Sequence, residues 1–260
     1  MAYQKIIVTH DDGIVRLTLN RPEVLNALDE QMVLEIDDLI DALPGDERAR
    51  VLLITGAGRA FSSGGDLAGG DITPGEDAGA FLESHFNPLV EKLFALHIPI
   101  VSAVNGPAVG AACSLALAAD ITIAAQSAYF LEAFVNIGLV PDVGATWILP
   151  RQIGRARATG MLLLGERVPA DLAMEWGMIW KSVPDAALSD EAGRIARKLA
   201  GGATRSYAMI RQSVRRAMEG TLTATLQEER LNQKEASASG DFAEGVAAYL
   251  GKRAPRFLGK

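Results

Sequence analysis

Two segments rich in glycine and alanine carry residue types that could hold a developing negative charge. The first is GAGRAFSSGGDL at 56–67, and the second is SAVNGPAVGAACSLALAAD at 102–120. Each begins where a predicted buried strand ends, and the second then opens a helix, whose first N–H groups lack intrahelical partners. Small residues let a ligand approach this backbone closely. Two such junctions could form an oxyanion hole for a carbonyl that becomes an enolate. Tight packing of helix on sheet would explain the second segment equally well.

The first segment fits two other glycine-rich sites poorly. A dinucleotide-binding turn needs a third glycine where Phe61 stands, and a phosphate loop needs Gly-Lys followed by Ser or Thr. The segment therefore remains either a plain tight connection or half of an oxyanion hole.

Asp142, in LVPDVG at 139–144, is a carboxylate that could move a proton. After a proline and before a predicted helix it could be an N-cap, and helix N–H donors would then lower its pKa. In an apolar pocket lined by Phe134, Val140 and Trp147, burial would raise its pKa toward that of a working general base. The residues alone favour the cap.

Hydrophobic periodicity predicts an α/β fold that must position these segments. Predicted strands cover 5–9, 14–19, 51–55, 100–104 and 120–124, and predicted helices cover about 29–43, 80–96 and 109–118. Apolar strands that alternate with helices indicate a sheet with both faces covered. The polar segment 69–80 is predicted to be a mobile loop.

The chain becomes mostly helical from about residue 143. Predicted helices cover 143–150, 155–163, 169–176, 187–200, 204–218, 221–237 and 241–250. Gly201-Gly202 is a plausible hinge, so we expect a core at 1–200 and a C-terminal helical region at 201–260.

Composition narrows the class of protein. A net charge of −7 over 260 residues argues against nucleic acid as a general partner. No apolar run approaches the roughly 20 residues that span a bilayer, so no membrane partner is expected. The single Cys113 fits a reducing compartment, and cytoplasm is the expected location. Three scattered histidines match no metal-ligand spacing, so no metal is expected.

Four motifs resemble the crotonase (enoyl-CoA hydratase/isomerase) superfamily in order and spacing: LNRPEVLNALDEQM, ITGAGRAFSSGGDL, AVNGPAVGAACSLALAAD and EGVAAYLGKRAPRF. The resemblance covers nearly the whole chain. It implies a crotonase (ClpP/crotonase-like) spiral of ββα units, a C-terminal helical trimerisation region, and a homo-trimer or dimer of trimers. It also implies an acyl-CoA thioester substrate, no metal or redox cofactor, and an oxyanion hole formed by the N–H groups of Gly65 and Ala111.

Hydratases of this superfamily use two glutamates, and the matching positions here hold Ser114 and Phe134. Neither side chain can act unaided as a base. Glu132 is two residues from the second position, and on an extended strand it would share that face, so it remains an alternative base.

The stretches AFVNIGLVPDVGATWILPRQIGRARA and EWGMIWKSV resemble the phenylacetate-pathway isomerase group, 2-(1,2-epoxy-1,2-dihydrophenyl)acetyl-CoA isomerases. That resemblance implies that Asp142 is the catalytic acid/base, and it predicts an acyl-CoA isomerase. The alternatives are an enoyl-CoA hydratase that uses Glu132 or Asp142 with water, and a non-catalytic relative that binds acyl-CoA or RNA.

The resemblance also predicts residues that bind coenzyme A and line the acyl pocket. Arg59 could meet a phosphate of coenzyme A or be a solvated loop side chain. The C-terminal Lys252 and Phe257 could meet the adenine and phosphates of coenzyme A, on this or a neighbouring subunit, or belong to a solubilising tail. Asp66 is expected to hold its loop rather than react. The predicted set is Arg59, Ala60, Ser63, Asp66, Leu67, Gly110, Phe134, Val140, Trp147, Lys252 and Phe257.

Overall fold

A computed structural model of the chain describes residues 3–69, 75 and 77–260. Within these residues the strands are β1 (Ile6–Asp11), β2 (Ile14–Leu19), β3 (Val51–Gly56), β4 (Ile100–Val104), β5 (Ala108–Val109), β6 (Ile121–Ala125), β7 (Tyr129–Leu131), β8 (Val168–Pro169) and β9 (Lys181–Val183). The α-helices are α1 (Glu30–Ala42), α2 (Ala78–Phe81), α3 (Asn87–Ala95), α4 (Ala111–Leu117), α5 (Ala145–Leu164), α6 (Ala170–Glu175), α7 (Leu188–Ala200), α8 (Thr204–Ala217), α9 (Leu222–Ala236) and α10 (Gly240–Leu250).

The main sheet has six strands in the order β1-β2-β3-β4-β6-β9. β1 and β2 form the predicted antiparallel hairpin, and every further neighbour pair is parallel. Leu52 of β3 lies opposite Ile100 of β4. Because these two strands are parallel neighbours, the segments that follow them start side by side at one edge of the sheet. This edge receives both glycine-rich segments.

The local sequence of α1 determines where this helix begins and which of its faces is buried. The Asp29 carboxylate caps the helix by accepting the Met32 N–H at 2.8 Å. The apolar residues at spacings of three and four form its buried face, as the periodicity predicts: Met32, Val33, Ile36, Leu39 and Ile40. α7 covers β3, β4 and β6.

The second sheet is short, and the apolar pattern does not predict it. It contains β5, β7 and β8 in the order β5-β7-β8, with two or three residues in each strand. Its formation displaces the start of the predicted helix at 109–118, so that α4 begins at Ala111. β9 is also absent from the predicted strands.

Other differences concern helix boundaries. The predicted helix at 80–96 is a continuous run in which a π-helical turn, Leu82–Phe86, separates α2 from α3. The predicted break between 150 and 155 appears within α5 as non-helical backbone at Gly154. Half of the predicted loop at 69–80, namely 70–74 and 76, lies outside the described residues.

Two arginines join the C-terminal helices to the rest of the chain. Arg50 donates to the Thr204 hydroxyl and to the Gly202 carbonyl oxygen. Arg211 of α8 donates to Asp120 at 2.7 Å and to the Leu93 carbonyl oxygen at 3.0 Å. These contacts seat α8 on the core of its own chain.

Candidate active site

The two glycine-rich segments run in parallel beyond β3 and β4. Ser62 N–H donates to the Pro107 carbonyl at 3.0 Å, and Val109 N–H donates to the Ser62 carbonyl at 3.1 Å. Ser62 therefore pairs with Ala108. Gly65 and Ala111 stand three residues beyond this pair on their respective segments. Neither of their N–H groups donates to an acceptor in the described part of the chain, so both can face a ligand oxygen.

Glycine permits the close approach of these segments at two positions. Gly64 has a φ of +90°, and a Cβ there would lie 2.7 Å from the Val109 carbonyl oxygen. Gly110 has φ 54° and ψ −130°, a combination that essentially only glycine adopts. Gly110 immediately precedes the first residue of α4, so its backbone conformation directs the Ala111 N–H.

The side chains of Asn26 and Asn105 hold the backbone of the glycine-rich loop by hydrogen bonds, and together they are called the asparagine clamp. Asn26 is completely buried, and its Nδ2 donates to the carbonyl oxygens of Ala57 and Ala60 at 2.9 Å and of Phe61 at 3.2 Å. Asn105 accepts the Gly56 N–H and donates to the Ala60 carbonyl. Neither asparagine is among the residues predicted from the sequence to have a role, although both lie in the quoted motifs beside turn residues.

Asp66 is held by a neighbouring cation. Its Oδ2 lies 2.8 Å from Nη1 of Arg21, and its Oδ1 accepts the Gly69 N–H at 3.0 Å. The hydrogen bond from Arg21 is the main reason that the pKa of Asp66 lies below its ordinary value, although burial opposes the shift. Asp66 is therefore an anchored anion whose two oxygens bind Arg21 and the backbone of its own loop.

A cavity of about 350 Å³ opens beside the two N–H groups, with mostly apolar walls that include Phe81, Leu82 and Phe86. It brings together most of the predicted site: Ser63, Gly65, Asp66, Leu67, Gly110, Ala111, Phe134, Val140 and Asp142. An acyl group with its carbonyl near Gly65 and Ala111 would occupy an apolar environment.

The Asp142 side chain is not a helix cap. α5 begins at Ala145, and its cap residue Gly144 makes no side-chain cap hydrogen bond. The Asp142 Oδ1 is buried and has no hydrogen-bond partner in the described chain. Burial raises the pKa of this carboxyl to about 6. A group with this pKa in a cavity wall suits reversible proton transfer near neutral pH.

The backbone beside Asp142 holds an unusual turn. Val143 is buried with a φ of +50°, which is strained for a β-branched residue. The Asp142 carbonyl accepts the Ala145 N–H at 3.0 Å and lies 3.2 Å from the Ser114 Oγ. These two contacts fix the turn that places Asp142 in the cavity wall.

Glu132 is buried behind this turn rather than in the cavity wall. It precedes a 3₁₀-helix, Ala133–Ile137, and its side chain has no solvent exposure. Burial, together with the charge of Asp142, raises its pKa to about 8, although hydrogen bonds from Cys113 and Ser114 oppose the shift. Glu132 and Phe134 were expected to lie on one face of an extended strand. They do not, because β7 ends at Leu131.

Three predicted substrate-binding residues lie outside the cavity wall, and the predicted contact of Arg59 with a phosphate of coenzyme A stays a prediction. Trp147 packs edge-to-face on Phe94, with 5.4 Å between ring centroids, because its side of α5 faces α3 rather than the cavity. Ala60 is buried, where its carbonyl binds the asparagine clamp, and Arg59 is exposed on the preceding turn. None of the three lines the cavity as described.

The predicted C-terminal pair is also remote from the cavity of its own chain. Lys252 is exposed just after α10, and Phe257 lies in the wall of a groove between α8, α9 and α10. Their predicted contact with coenzyme A on a neighbouring subunit stays a prediction.

The described residues contain no group of three or more His, Cys, Asp or Glu side chains placed to hold a metal ion. Among the helices that are described, none combines the length and apolar character needed to cross a membrane.

Comparison with known proteins identifies the class of protein that this fold and site define. The family model described as enoyl-CoA hydratase/isomerase matches residues 9–260. The chain therefore belongs to this family, within the crotonase superfamily, and it has the crotonase fold: an α/β core with a C-terminal helical region.

Some relatives that resemble the chain over its whole length are named isomerases, and others are named hydratases. The 1,2-epoxyphenylacetyl-CoA isomerase of Escherichia coli is 45% identical, with 98% of this chain and 99% of the relative covered. A Rhodobacter capsulatus protein named "Probable enoyl-CoA hydratase" is 42% identical, with full coverage of both. The crystal structure of an enoyl-CoA hydratase subunit from Geobacillus kaustophilus superposes with a TM-score of 0.92 at 35% identity, covering 99% of both chains.

Proposed function

We propose that the protein is an acyl-CoA isomerase in which Asp142 moves a proton beside a thioester carbonyl bound by the Gly65 and Ala111 N–H groups. The observation that carries the proposal is the unpartnered Asp142 carboxylate oxygen in a cavity that is also lined by Gly65 and Ala111. Coenzyme A enters as part of the substrate, and the proposed reaction needs no metal or redox cofactor.

The proposed reaction of a 3-enoyl-CoA moves one proton. Asp142 takes a proton from C2, and the C–H electron pair forms a C1–C2 double bond while the carbonyl pair moves onto oxygen. The two N–H groups stabilise this oxyanion. Asp142 then returns the proton to C4, where the C3–C4 double-bond pair forms the new C–H bond. The C1–C2 pair moves to form the C2–C3 double bond, and the oxyanion pair restores the carbonyl. A carboxyl with a pKa of about 6 can serve as base and then as acid.

Two acyl classes fit this chemistry. The cavity's apolar wall accepts a linear 3-enoyl chain, and Phe81, Phe86 and Phe134 offer aromatic surface to a ring. The relative named 1,2-epoxyphenylacetyl-CoA isomerase supports the ring class, with proton removal next to an epoxide.

Hydration of a 2-enoyl-CoA is the second candidate, because close relatives are named hydratases. Hydration needs a water molecule that is both held and activated. By the family resemblance, Ser114 and Phe134 stand at the positions of the two hydratase glutamates, and Glu132 lies outside the cavity wall. Two carboxylates of the described chain line the cavity, but Asp66 is bound by Arg21. Asp142 is then the one left to move a proton, which favours isomerisation.

The test follows the conjugated thioester absorbance with a 3-enoyl-CoA and, separately, a 2-enoyl-CoA. We expect absorbance to rise with the first substrate, to fall little with the second, and Asp142→Asn to lose the rise. Asp190→Asn, an exposed carboxylate on α7, is the matched control and should behave as wild type. If instead the 2-enoyl absorbance falls rapidly with both the wild type and Asp142→Asn, the protein is a hydratase that does not depend on Asp142.

Family membership also leads us to propose assembly as a trimer or dimer of trimers through the C-terminal helices. Exposed apolar side chains on these helices, including Ile210, Val214 and Tyr249, support this proposal. Light scattering of the purified protein measures the mass and separates the two assemblies from a monomer.

A further inference from the structure

Glu132 is a buried carboxyl group that the proposed proton transfer does not use. Its side chain is 0% exposed, and its Oε2 has no hydrogen-bond partner in the described chain. An ionised carboxylate in such a place would lack both water and a paired cation, which is costly. The geometry therefore favours the neutral acid.

Ser114 connects Glu132 to the turn that carries Asp142. Its Oγ lies 3.4 Å from Glu132 Oε1 and 3.2 Å from the Asp142 carbonyl oxygen. A serine hydroxyl has one proton, so it can donate to only one of these two acceptors. If Glu132 is ionised, it competes with the Asp142 carbonyl for that proton. If Glu132 is neutral, its own O–H can donate to Ser114 Oγ, and the Ser114 proton is free for the Asp142 carbonyl.

We propose that Glu132 is a positioning residue that, as a neutral acid, directs the Ser114 hydroxyl onto the Asp142 carbonyl and so holds the catalytic turn. The inference rests on the proposed function of Asp142. The strained Val143 backbone next to this carbonyl explains why the turn needs such support.

The groups around Glu132 set the pH at which this support ends. The titratable groups that face it are Cys113 on α4 and Asp142 on the catalytic turn. Burial raises the pKa of the Cys113 thiol well above its ordinary value, so Cys113 stays neutral while Glu132 titrates. Asp142 ionises first, and its charge then helps to keep the proton on Glu132, whose pKa is about 8. Ionisation of Glu132 above that pH should withdraw the Ser114 proton from the turn.

The test measures kcat and KM for the 3-enoyl-CoA across about pH 6 to 9.5. Glu132→Gln keeps a neutral donor for Ser114 at every pH, whereas Ser114→Ala removes the bridge. Glu175→Gln, an exposed glutamate on α6, is the matched control.

We expect wild type and Glu175→Gln to lose about three- to tenfold in kcat above pH 8, the effect of one lost hydrogen bond. Glu132→Gln should keep its neutral kcat and lose this alkaline decline. Ser114→Ala should have a kcat lowered by about the same factor at all pH values, with KM little changed.

An infrared measurement tests the neutral acid without relying on activity or on any variant. Wild type at neutral pH should show the C=O stretch of a protonated carboxyl, and this band should disappear with a midpoint near pH 8. An alkaline decline that persists in Glu132→Gln, or absence of the band, overturns the positioning role. Full activity of Asp142→Asn would instead overturn the proposed function, so the two failures are distinguishable.

Discussion

Replacement of Asp142 by asparagine should stabilise the folded protein while it removes the proposed activity. In the folded chain, burial holds the pKa of Asp142 at about 6, against an ordinary value of 3.8. The difference is about 2 units, and each unit corresponds to about 1.36 kcal/mol, so ionisation costs the native state up to about 3 kcal/mol. Because the side chain is only partly buried, solvent screening reduces this penalty, and we expect about 1–3 kcal/mol.

The sign follows from which state releases its proton first. Well below pH 3.8 the carboxyl is protonated in both the folded and the unfolded chain, and it adds no pH dependence. Between about pH 4 and pH 6 the unfolded chain ionises first, so stability falls as the pH rises. Above pH 6 both states are ionised and the penalty is constant. Asparagine avoids this penalty. The gain in the free energy of unfolding of Asp142→Asn over wild type should therefore reach about half its full value at pH 5 and its full value near pH 7.5.

Urea unfolding at about pH 5 and pH 7.5, at one fixed protein concentration, measures the difference between Asp142→Asn and wild type. Asp190→Asn provides the exposed control and should show no comparable pH-dependent gain. The pH-dependent part of the difference isolates ionisation, because the packing of asparagine does not change with pH. An equal difference at both pH values, or a loss for asparagine as the pH rises, would show that burial does not raise this pKa.

Three further predictions test the groups that shape the site. Gly110→Ala should lower kcat by about a hundredfold in the absorbance assay, because alanine cannot easily keep the backbone that directs the Ala111 N–H; an unchanged kcat would remove that N–H from the mechanism. Asn26→Ala should lower the free energy of unfolding by about 2–4 kcal/mol in urea, since three loop carbonyls lose a hydrogen bond and only that of Ala60 keeps another donor in the described chain, Asn105; a change below about 0.5 kcal/mol would contradict the clamp. Glu35 accepts three N–H bonds at the start of the chain, and although burial raises its pKa, these bonds lower it below its ordinary value overall. Glu35→Gln should therefore destabilise the protein at pH 7, and the loss should shrink as the pH falls below about 4; a loss that does not vary with pH would refute the charge-based account.

The backbone part of the site could be predicted from the sequence because it is local. Each small-residue segment directly follows an apolar strand, and neighbouring parallel strands bring their ends together. The positions of Gly65 and Ala111 came from the family resemblance, and the structure places both in one cavity wall. The asparagine clamp was missed because its contacts join residues about 30 positions apart, as between Asn26 and Ala57.

The surroundings of the Asp142 and Glu132 side chains could not be predicted from the local sequence. The residues alone favoured a cap for Asp142, but α5 starts three residues later, so its first free N–H groups do not meet that carboxylate. Trp147 was expected in the pocket, yet its side of the helix faces Phe94. The depth of Glu132 depends on β7 ending at Leu131, and β7 is too short to be visible in the apolar pattern.

Three carboxyl groups lie in or beside the cavity, and each has a different role because its surroundings give it a different pKa. Asp66 has a guanidinium at 2.8 Å, so its pKa is lowered and it stays an anion that anchors a loop. Asp142 has neither a cation nor a hydrogen bond on Oδ1, and it titrates near pH 6 beside the two N–H groups. Glu132 has no water contact at all and keeps its proton until about pH 8. Because these pKa values are separated, one acid can exchange protons with a substrate at neutral pH while the others keep fixed charges. This separation is the physical argument for a proton-transfer site served by a single carboxylate.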